Sequence, residues 1–165
     1  MAVLKVVKYP DQVLQTKAKD VKQITEEDRR LVRDMIETMH AEEGVGLAAN
    51  QVGALKRIFV ASADQVKGRE LVYLNPRIIK KQGTVKEFEG CLSIPEFYEP
   101  VRSAKKIWMK AMTLEGRTEE VKAEGLLSRI FQHEIDHLNG ILFVDRLGIF
   151  KSKFAKKKLA KKLSR

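Results

Sequence analysis

The stretch His133-Glu134-Ile135-Asp136-His137 constrains this chain more than any other. In a helix, two imidazoles four residues apart share one face, one turn from each other. There they can hold a single metal ion while the carboxylate of Glu134 turns toward the water that such an ion activates. The neighbours favour a helix. Leu126, Leu127, Ile130, Phe131, Ile135 and Leu138 recur at helical spacing, no proline interrupts them, and Asn139-Gly140 offers a left-handed stop. Both histidines sit among apolar residues, so the pattern predicts a central helix with a half-buried metal site.

A catalytic metal usually takes three protein ligands and keeps one position open. Downstream of His137 the only acid is Asp145 and no histidine follows, so the third ligand is expected upstream. The single cysteine, Cys91, lies in Glu89-Gly90-Cys91-Leu92-Ser93-Ile94-Pro95, between a flexible glycine and a rigid proline. A lone cysteine is more often a small buried hydrophobe. Beside an incomplete two-histidine site, a thiolate ligand becomes the stronger expectation. A third segment, Gly44-Val45-Gly46-Leu47-Ala48-Ala49-Asn50-Gln51, crowds small residues where a backbone or ligand can approach closely, and Gln51 offers an amide to a developing oxyanion. It is not a phosphate loop: it follows a helix, lacks the third glycine of a dinucleotide fingerprint and has no Lys-Ser/Thr pair.

These three segments, in this order, resemble the signature of the peptide deformylase family. The likeness spans residues from about 1 to 147, including Val6-Val7-Lys8-Tyr9-Pro10-Asp11 and Asn75-Pro76. The resemblance implies that Cys91, His133 and His137 bind the metal and that Glu134 is the general acid/base. It further implies that Gln51 and the backbone N–H of Leu92 polarise a formyl oxygen. The edge formed by Gly44, Val45, Gly46 and Leu47, with Gly90 opposite, would take a peptide as an added strand. The implied reaction releases formate from the N-formylmethionine that begins new polypeptides. A two-histidine, one-thiolate set suits Zn²⁺ as well as Fe²⁺. The resemblance points to Fe²⁺ as the native ion, with Zn²⁺, Ni²⁺ or Co²⁺ as substitutes in isolated protein. Leu126 and Ile130 precede His133 by seven and three residues, on the same helical face, and with Val45 would form an apolar slot for methionine; plain core packing is almost as good an explanation. One departure stands out. Where many family members carry a basic residue shortly after the second motif, this chain reads Glu96-Phe97-Tyr98-Glu99-Pro100 before Arg102. By the family pattern, Arg102 is expected to pair with Glu89 and support the Cys91 loop.

Length and a hydrophobic content of 44% suit one catalytic domain over 1–147, followed by a tail over 148–165. One cysteine excludes an internal disulfide, and no leader or stretch of transmembrane length is recognisable. A cytoplasmic monomer, with no membrane association, is the expectation; an organellar protein without its transit peptide would read the same. Thr25 can cap a helix whose Leu31, Val32, Met35, Ile36 and Met39 face inward and which ends near Glu43-Gly44. Strands are expected over Arg57 to Ala61, Leu71 to Leu74, Arg77 to Lys80, Thr84 to Phe88, Lys105 to Met112 and Glu119 to Ala123, ahead of the metal helix. The fold class is therefore α+β, short antiparallel strands around a central metal-binding helix, with a C-terminal helix.

Charge is unevenly placed. Nine of the 32 Lys and Arg residues lie from Arg146 onward with no acid among them, so the remainder holds 23 basic against 22 acidic side chains. Leu147, Phe150 and Phe154 make an apolar stripe able to dock a helix, but Lys158 and Lys161 continue that face, so the far half is expected to project or fray. Such a tail either solubilises the protein or is drawn to polyphosphate; the resemblance names the ribosome and its RNA, near the tunnel where new chains emerge. Two other classes share parts of the pattern. A metalloprotease would use Glu134 but would not need Cys91. An RNA-binding module would explain the tail and leave the metal residues idle. His40, outside all three motifs, reads as an ordinary surface or helix-end residue.

Overall fold

A computed structural model describes residues 1–164. Seven strands and three helices follow one another as α1 (Glu26–Ala41), β1 (Gly46–Ala48), β2 (Ile58–Ala61), β3 (Leu71–Gln82), β4 (Val85–Cys91), β5 (Ile94–Ser103), β6 (Lys106–Met112), β7 (Thr118–Glu124), α2 (Gly125–Leu138) and α3 (Ile149–Leu163). The strands form a five-stranded antiparallel sheet in the order β1-β2-β3-β6-β7 and a separate β4-β5 hairpin. The α+β class and the C-terminal helix read from the sequence are both present. Among the described residues no helix is long and apolar enough to cross a membrane.

The metal-motif helix α2 lies against the sheet. Ile130, Phe131, Ile135 and Leu138 pack onto Phe59, Tyr73, Ile107, Met109 and Ala111, with Phe131 edge-on to Phe59 and Tyr73 at centroid distances of 5.4 and 5.6 Å. Buried Arg57 ties the end of this helix to the sheet, donating to the carbonyls of Leu138 and Pro76 and to Asn139 Oδ1. Gly140, at φ 74°, closes α2 where the backbone of Gln15 leaves no room for a Cβ. Helix α1 starts as expected: the Thr25 hydroxyl accepts from the Asp28 N–H while the Asp28 carboxylate accepts from the Thr25 N–H. It buries Val32, Met35 and Met39, with Leu31 and Ile36 partly covered, and ends slightly early, at Ala41.

Three features depart from the sequence expectation. The two segments Leu71 to Leu74 and Arg77 to Lys80 are one strand, because the break at Asn75-Pro76 is a bulge: Asn75 adopts φ 52° and its side chain bonds both the N–H and the C=O of Val21 at 2.8 Å. Strand β5 carries Pro95 and Pro100, which mark a poor strand in sequence but are tolerated in a two-stranded hairpin with open edges. The third departure is α3. Its inward stripe is Ser152, Ala155, Lys156 and Leu159, not Leu147, Phe150 and Phe154; Phe150 and Phe154 are 88% and 71% exposed, and only Leu147 is partly buried. Small Ser152 and Ala155 let the helix axis approach, and Leu159 then inserts beside Leu14, Ile94, Phe97 and Phe143. The far half is accordingly docked, with Lys156 paired to Asp145 at 2.6 Å and Lys162 to Glu96 at 3.3 Å. His40 meets one of the two readings open from sequence, a helix-end residue, but not the other, a surface one. It stands in the last turn of α1 but is enclosed, its Nε2 2.6 Å from Glu70 Oε1.

The docking face of α3 can be tested directly. Leu159→Ala is expected to lower unfolding free energy by about 2 to 5 kcal/mol, whereas Phe154→Ser should change it by about 0.5 kcal/mol or less. Urea denaturation of both variants decides; equal shifts would mean that the wrong face has been assigned.

Candidate metal centre

The three ligand candidates come from two elements. Helix α2 presents His133 and His137 one turn apart, with Nε2 atoms 3.1 Å from each other, and the hairpin tip brings Cys91 Sγ to 3.3 Å from His137 Nε2. All three ligand atoms lie within 4.8 Å of one another, so this set can hold one metal ion. The donor chemistry fits a cation. A thiolate and two imidazole lone pairs this close repel one another unless positive charge lies between them. The titration of the rings reflects that demand. Burial opposes protonation of His133, yet Cys91 and Glu89 raise its pKa well above the ordinary imidazole value; His137 is held well below it by burial and by the charge on His133, leaving its ring neutral. A divalent ion would supply that charge in place of the proton.

Behind the ligands stands Glu89. Its Oε1 accepts from His133 Nδ1 at 2.8 Å, so an ion replacing the Nε2 proton would find the Nε2 lone pair on the Cys91 side, and its Oε2 accepts from Arg129. Burial alone would raise the Glu89 carboxyl, but the hydrogen bond and charge of His133, with Arg129, hold it below the usual carboxylate range. Arg129 is itself buried and also donates to the carbonyls of Val85 and Val101, so one guanidinium fastens α2 to both strands of the hairpin. The expected partner of Glu89 was Arg102. The structure gives that place to Arg129, which reaches Glu89 from the helix interior. A sequence signal existed: Arg129 precedes His133 by four residues and so shares its helical face.

Glu134, 4% exposed, has its Oε2 without a hydrogen-bond partner among the described residues, and burial is the main cause that pushes its pKa up to about 7. It fits only because residue 46 is glycine. A Cβ there would lie 2.6 Å from Glu134 Oε1 and 3.0 Å from Ile130 Cγ2. Gln51 sits in a 3₁₀ turn, Ala49–Val52, at the end of β1. The Ala48 N–H can only donate, at 2.9 Å, so it fixes the Gln51 oxygen on that side and turns the amino group toward Cys91 Sγ at 3.5 Å and Ser93 Oγ at 3.2 Å. Leu92 opens the two-residue turn between β4 and β5, and its carbonyl accepts from Lys8 Nζ at 2.8 Å.

A cleft of about 450 Å³ opens over these groups, lined by Gly44, Val45, Gly46, Gly90, Leu126 and Ile130 among others, with Gln51, Cys91, Leu92, His133 and Glu134 at its floor. His137 lies beneath, 1% exposed. Leu126 is at the rim and Ile130 inside. Leu47 does not line the cleft; its side chain is fully buried with Met35 and Met39 beneath β1. Strand β1 is an edge of the sheet. Val45 C=O accepts from Ser62 on the β2 side and Ala48 N–H turns the opposite way, to Gln51, so by alternation the Gly46 backbone groups face the cleft. Sequence reasoning missed Lys8, Ser93 and Tyr98, whose ring lies against Gly90 and excludes any side chain there.

The model of the polypeptide deformylase family matches residues 3–153. The peptide deformylase of Buchnera aphidicola from Acyrthosiphon pisum (strain Tuc7) is 44% identical over 161 residues, covering 98% of this chain and 93% of its own. That of Alkalilimnicola ehrlichii is 46% identical over 162 residues, covering 98% and 91%. The crystal structure of a peptide deformylase from Legionella pneumophila superposes with a TM-score of 0.91 at 41% identity, covering 97% of this chain and 95% of that one. The chain belongs to the polypeptide deformylase family. It is therefore an enzyme, a hydrolase, and its Cys91, His133 and His137 form a cluster able to bind the single metal of a deformylase. A deformylase from Ehrlichia chaffeensis, solved in complex with actinonin, is similar over 98% of both chains with a TM-score of 0.88 at 41% identity.

Glu89→Gln removes the charge behind His133 and leaves Arg129 with only the more distant Glu87 carboxylate, at 4.0 Å. In this deformylase it is expected to weaken metal retention about 10- to 100-fold, read as metal lost to a competing chelator. Unchanged retention would show that Glu89 does not tune the centre.

Proposed function

We propose that this chain hydrolyses the N-formyl group from the formylmethionine that begins newly made polypeptides, releasing formate and a free amine. One divalent ion, Fe²⁺ in the native enzyme, is held by Cys91, His133 and His137; Zn²⁺, Ni²⁺ or Co²⁺ replace it in isolated protein. The supporting observation is the convergence on one cleft floor of three soft or borderline ligands and a buried carboxylate with a free oxygen. When bound, the ion would activate water and polarise the formyl oxygen. Glu134 takes the proton from the attacking water and passes it to the departing nitrogen as the C–N bond breaks, a role suited to a carboxyl poised near neutrality. Charge developing on the formyl oxygen meets the Gln51 amino group and the Leu92 backbone N–H.

Substrate lies along β1 as an added strand, bonded to Gly46, with Gly90 and the hairpin opposite and Leu47 contributing backbone only. Val45, Leu126 and Ile130 receive the methionine side chain. The activity resides in residues 1–147, acting as a cytoplasmic monomer, while 148–165 carries the excess charge and directs the enzyme to the ribosome through its RNA.

Anaerobically prepared enzyme should release formate rapidly from formyl-Met-Ala-Ser. Glu134→Ala and Cys91→Ser should abolish release, and Gln51→Ala should lower kcat by about 10²- to 10³-fold. No release from protein carrying Fe²⁺ or Ni²⁺ would overturn the proposal, and full activity with tightly bound zinc alone would overturn the choice of iron.

The tail is better tested by charge than by truncation, since Ala155 and Leu159 belong to the core. Lys157→Glu, Lys158→Glu and Lys161→Glu together should leave short-peptide hydrolysis intact and abolish salt-sensitive cosedimentation with ribosomes. Cosedimentation equal to that of the unaltered protein would remove the tail from this role.

A further inference from the structure

The two groups assigned to the formyl oxygen belong to different parts of the fold. Gln51 follows β1 of the five-stranded sheet, while Leu92 turns the separate β4-β5 hairpin. No strand pairing joins these two sheets among the described residues. One short segment touches both. Val7 N–H donates to the Gln51 carbonyl at 2.7 Å, Lys8 Nζ to the Leu92 carbonyl at 2.8 Å and Tyr9 N–H to the Ser93 carbonyl at 2.9 Å. Behind it, Ala2 N–H and Leu4 N–H are held by Asp34 and Thr38 of α1, and Val6 is buried, so this strap is anchored before it reaches the site.

We infer that Val7-Lys8-Tyr9 is a clamp that sets the distance between Gln51 and the Leu92 turn, with Lys8 as a positioning residue for the reaction. Its ammonium group forms no ion pair with a carboxylate among the described residues, and its contact is a charged donor on a turn carbonyl. Two backbone bonds hold the strap to Gln51 and Ser93. The Lys8 bond pins the Leu92 carbonyl, hence the plane of the Leu92-Ser93 peptide; the Leu92 N–H lies in the preceding Cys91-Leu92 peptide, joined to that plane at the Leu92 Cα, so it turns as the tilt of the turn changes. Oxyanion donors act through pre-set geometry, so a small rotation of that turn weakens stabilisation where charge develops while leaving the rest of the peptide-binding edge at Gly46 untouched. Lys8 also borders the cleft.

This inference rests on the deformylation proposed above, and the experiment separates the two. Kinetics of formyl-Met-Ala-Ser hydrolysis would be compared for wild type, Lys8→Met, which keeps length and loses the donor, and Lys8→Arg, which restores one. Absence of turnover by metal-loaded wild type would count against the deformylation itself. With wild type active, Lys8→Met is expected to lower kcat about three- to tenfold with KM within about twofold. Metal content and the urea midpoint should be unchanged, and Lys8→Arg should recover most of the loss. Unchanged kcat in Lys8→Met, a loss appearing mainly in KM, or failure of Lys8→Arg to restore turnover would each overturn the clamp.

Discussion

The buried pair of Arg129 and Glu89 is the contact on which the site depends. Among the described residues the two sheets share no ladder, so the position of Cys91 relative to the histidines depends on what joins the hairpin to α2. Arg129 does this by donating to backbone carbonyls on both strands of the hairpin, and Glu89 does it by bridging back to His133. Taking these charges out of water costs several kcal/mol for each ion, so the pair is poor evidence of net stability. Its worth is geometric. Each Glu89 oxygen has its own donor, His133 Nδ1 on one and Arg129 on the other, and the ring of His133 is thereby held with Nε2 toward Cys91.

Close approach is the second constraint, and it is met by leaving side chains out. Gly46 admits the Glu134 carboxylate and the Ile130 methyl, and Gly90 admits the Tyr98 ring. An alanine at either place would push the Glu134 carboxylate or the Tyr98 ring out of its present position. Gln51 shows the same economy in polar form. Because a backbone N–H fixes its oxygen, the orientation of its amino group follows from the fold without any contribution from substrate.

The parts of this fold that were legible in sequence are those whose signals are local. The spacing of His133 and His137, the Thr25 cap and the ranges of β6 and β7 each follow from signals within a single element. What was not legible depended on neighbours. Whether Asn75-Pro76 ends a strand or bulges is decided by Val21, some fifty residues upstream, whose backbone satisfies Asn75. The partner of Glu89 was misassigned because a hairpin and a helix present rival arginines, and only packing selects Arg129. The α3 stripe differs from the one its largest apolar side chains suggest, because a helix approaches most closely on its small ones. Of the ligand set, both histidines were readable from spacing alone; Cys91 was inferred because the two-histidine site was incomplete, and the resemblance then supplied its role.

That geometry of α3 also fixes where its charge points. With Ser152, Ala155, Lys156 and Leu159 turned inward, Lys151, Lys153, Lys157, Lys158 and Lys161 are exposed, and no acid lies within the helix. Like charges three and four residues apart each cost about 0.2 to 0.5 kcal/mol, and Lys153, Lys157 and Lys161 form such a series. The helix is held against this repulsion by contacts with the body: Leu159 in the core, Lys156 on Asp145 and Lys162 on Glu96. A row of cations held rigid by its neighbours cannot relax its repulsion by fraying; it is relieved by counterions, and a polyanion that releases those counterions gains the entropy of their dispersal. Docking thus converts a composition that reads as a loose basic tail into a charged edge of fixed direction.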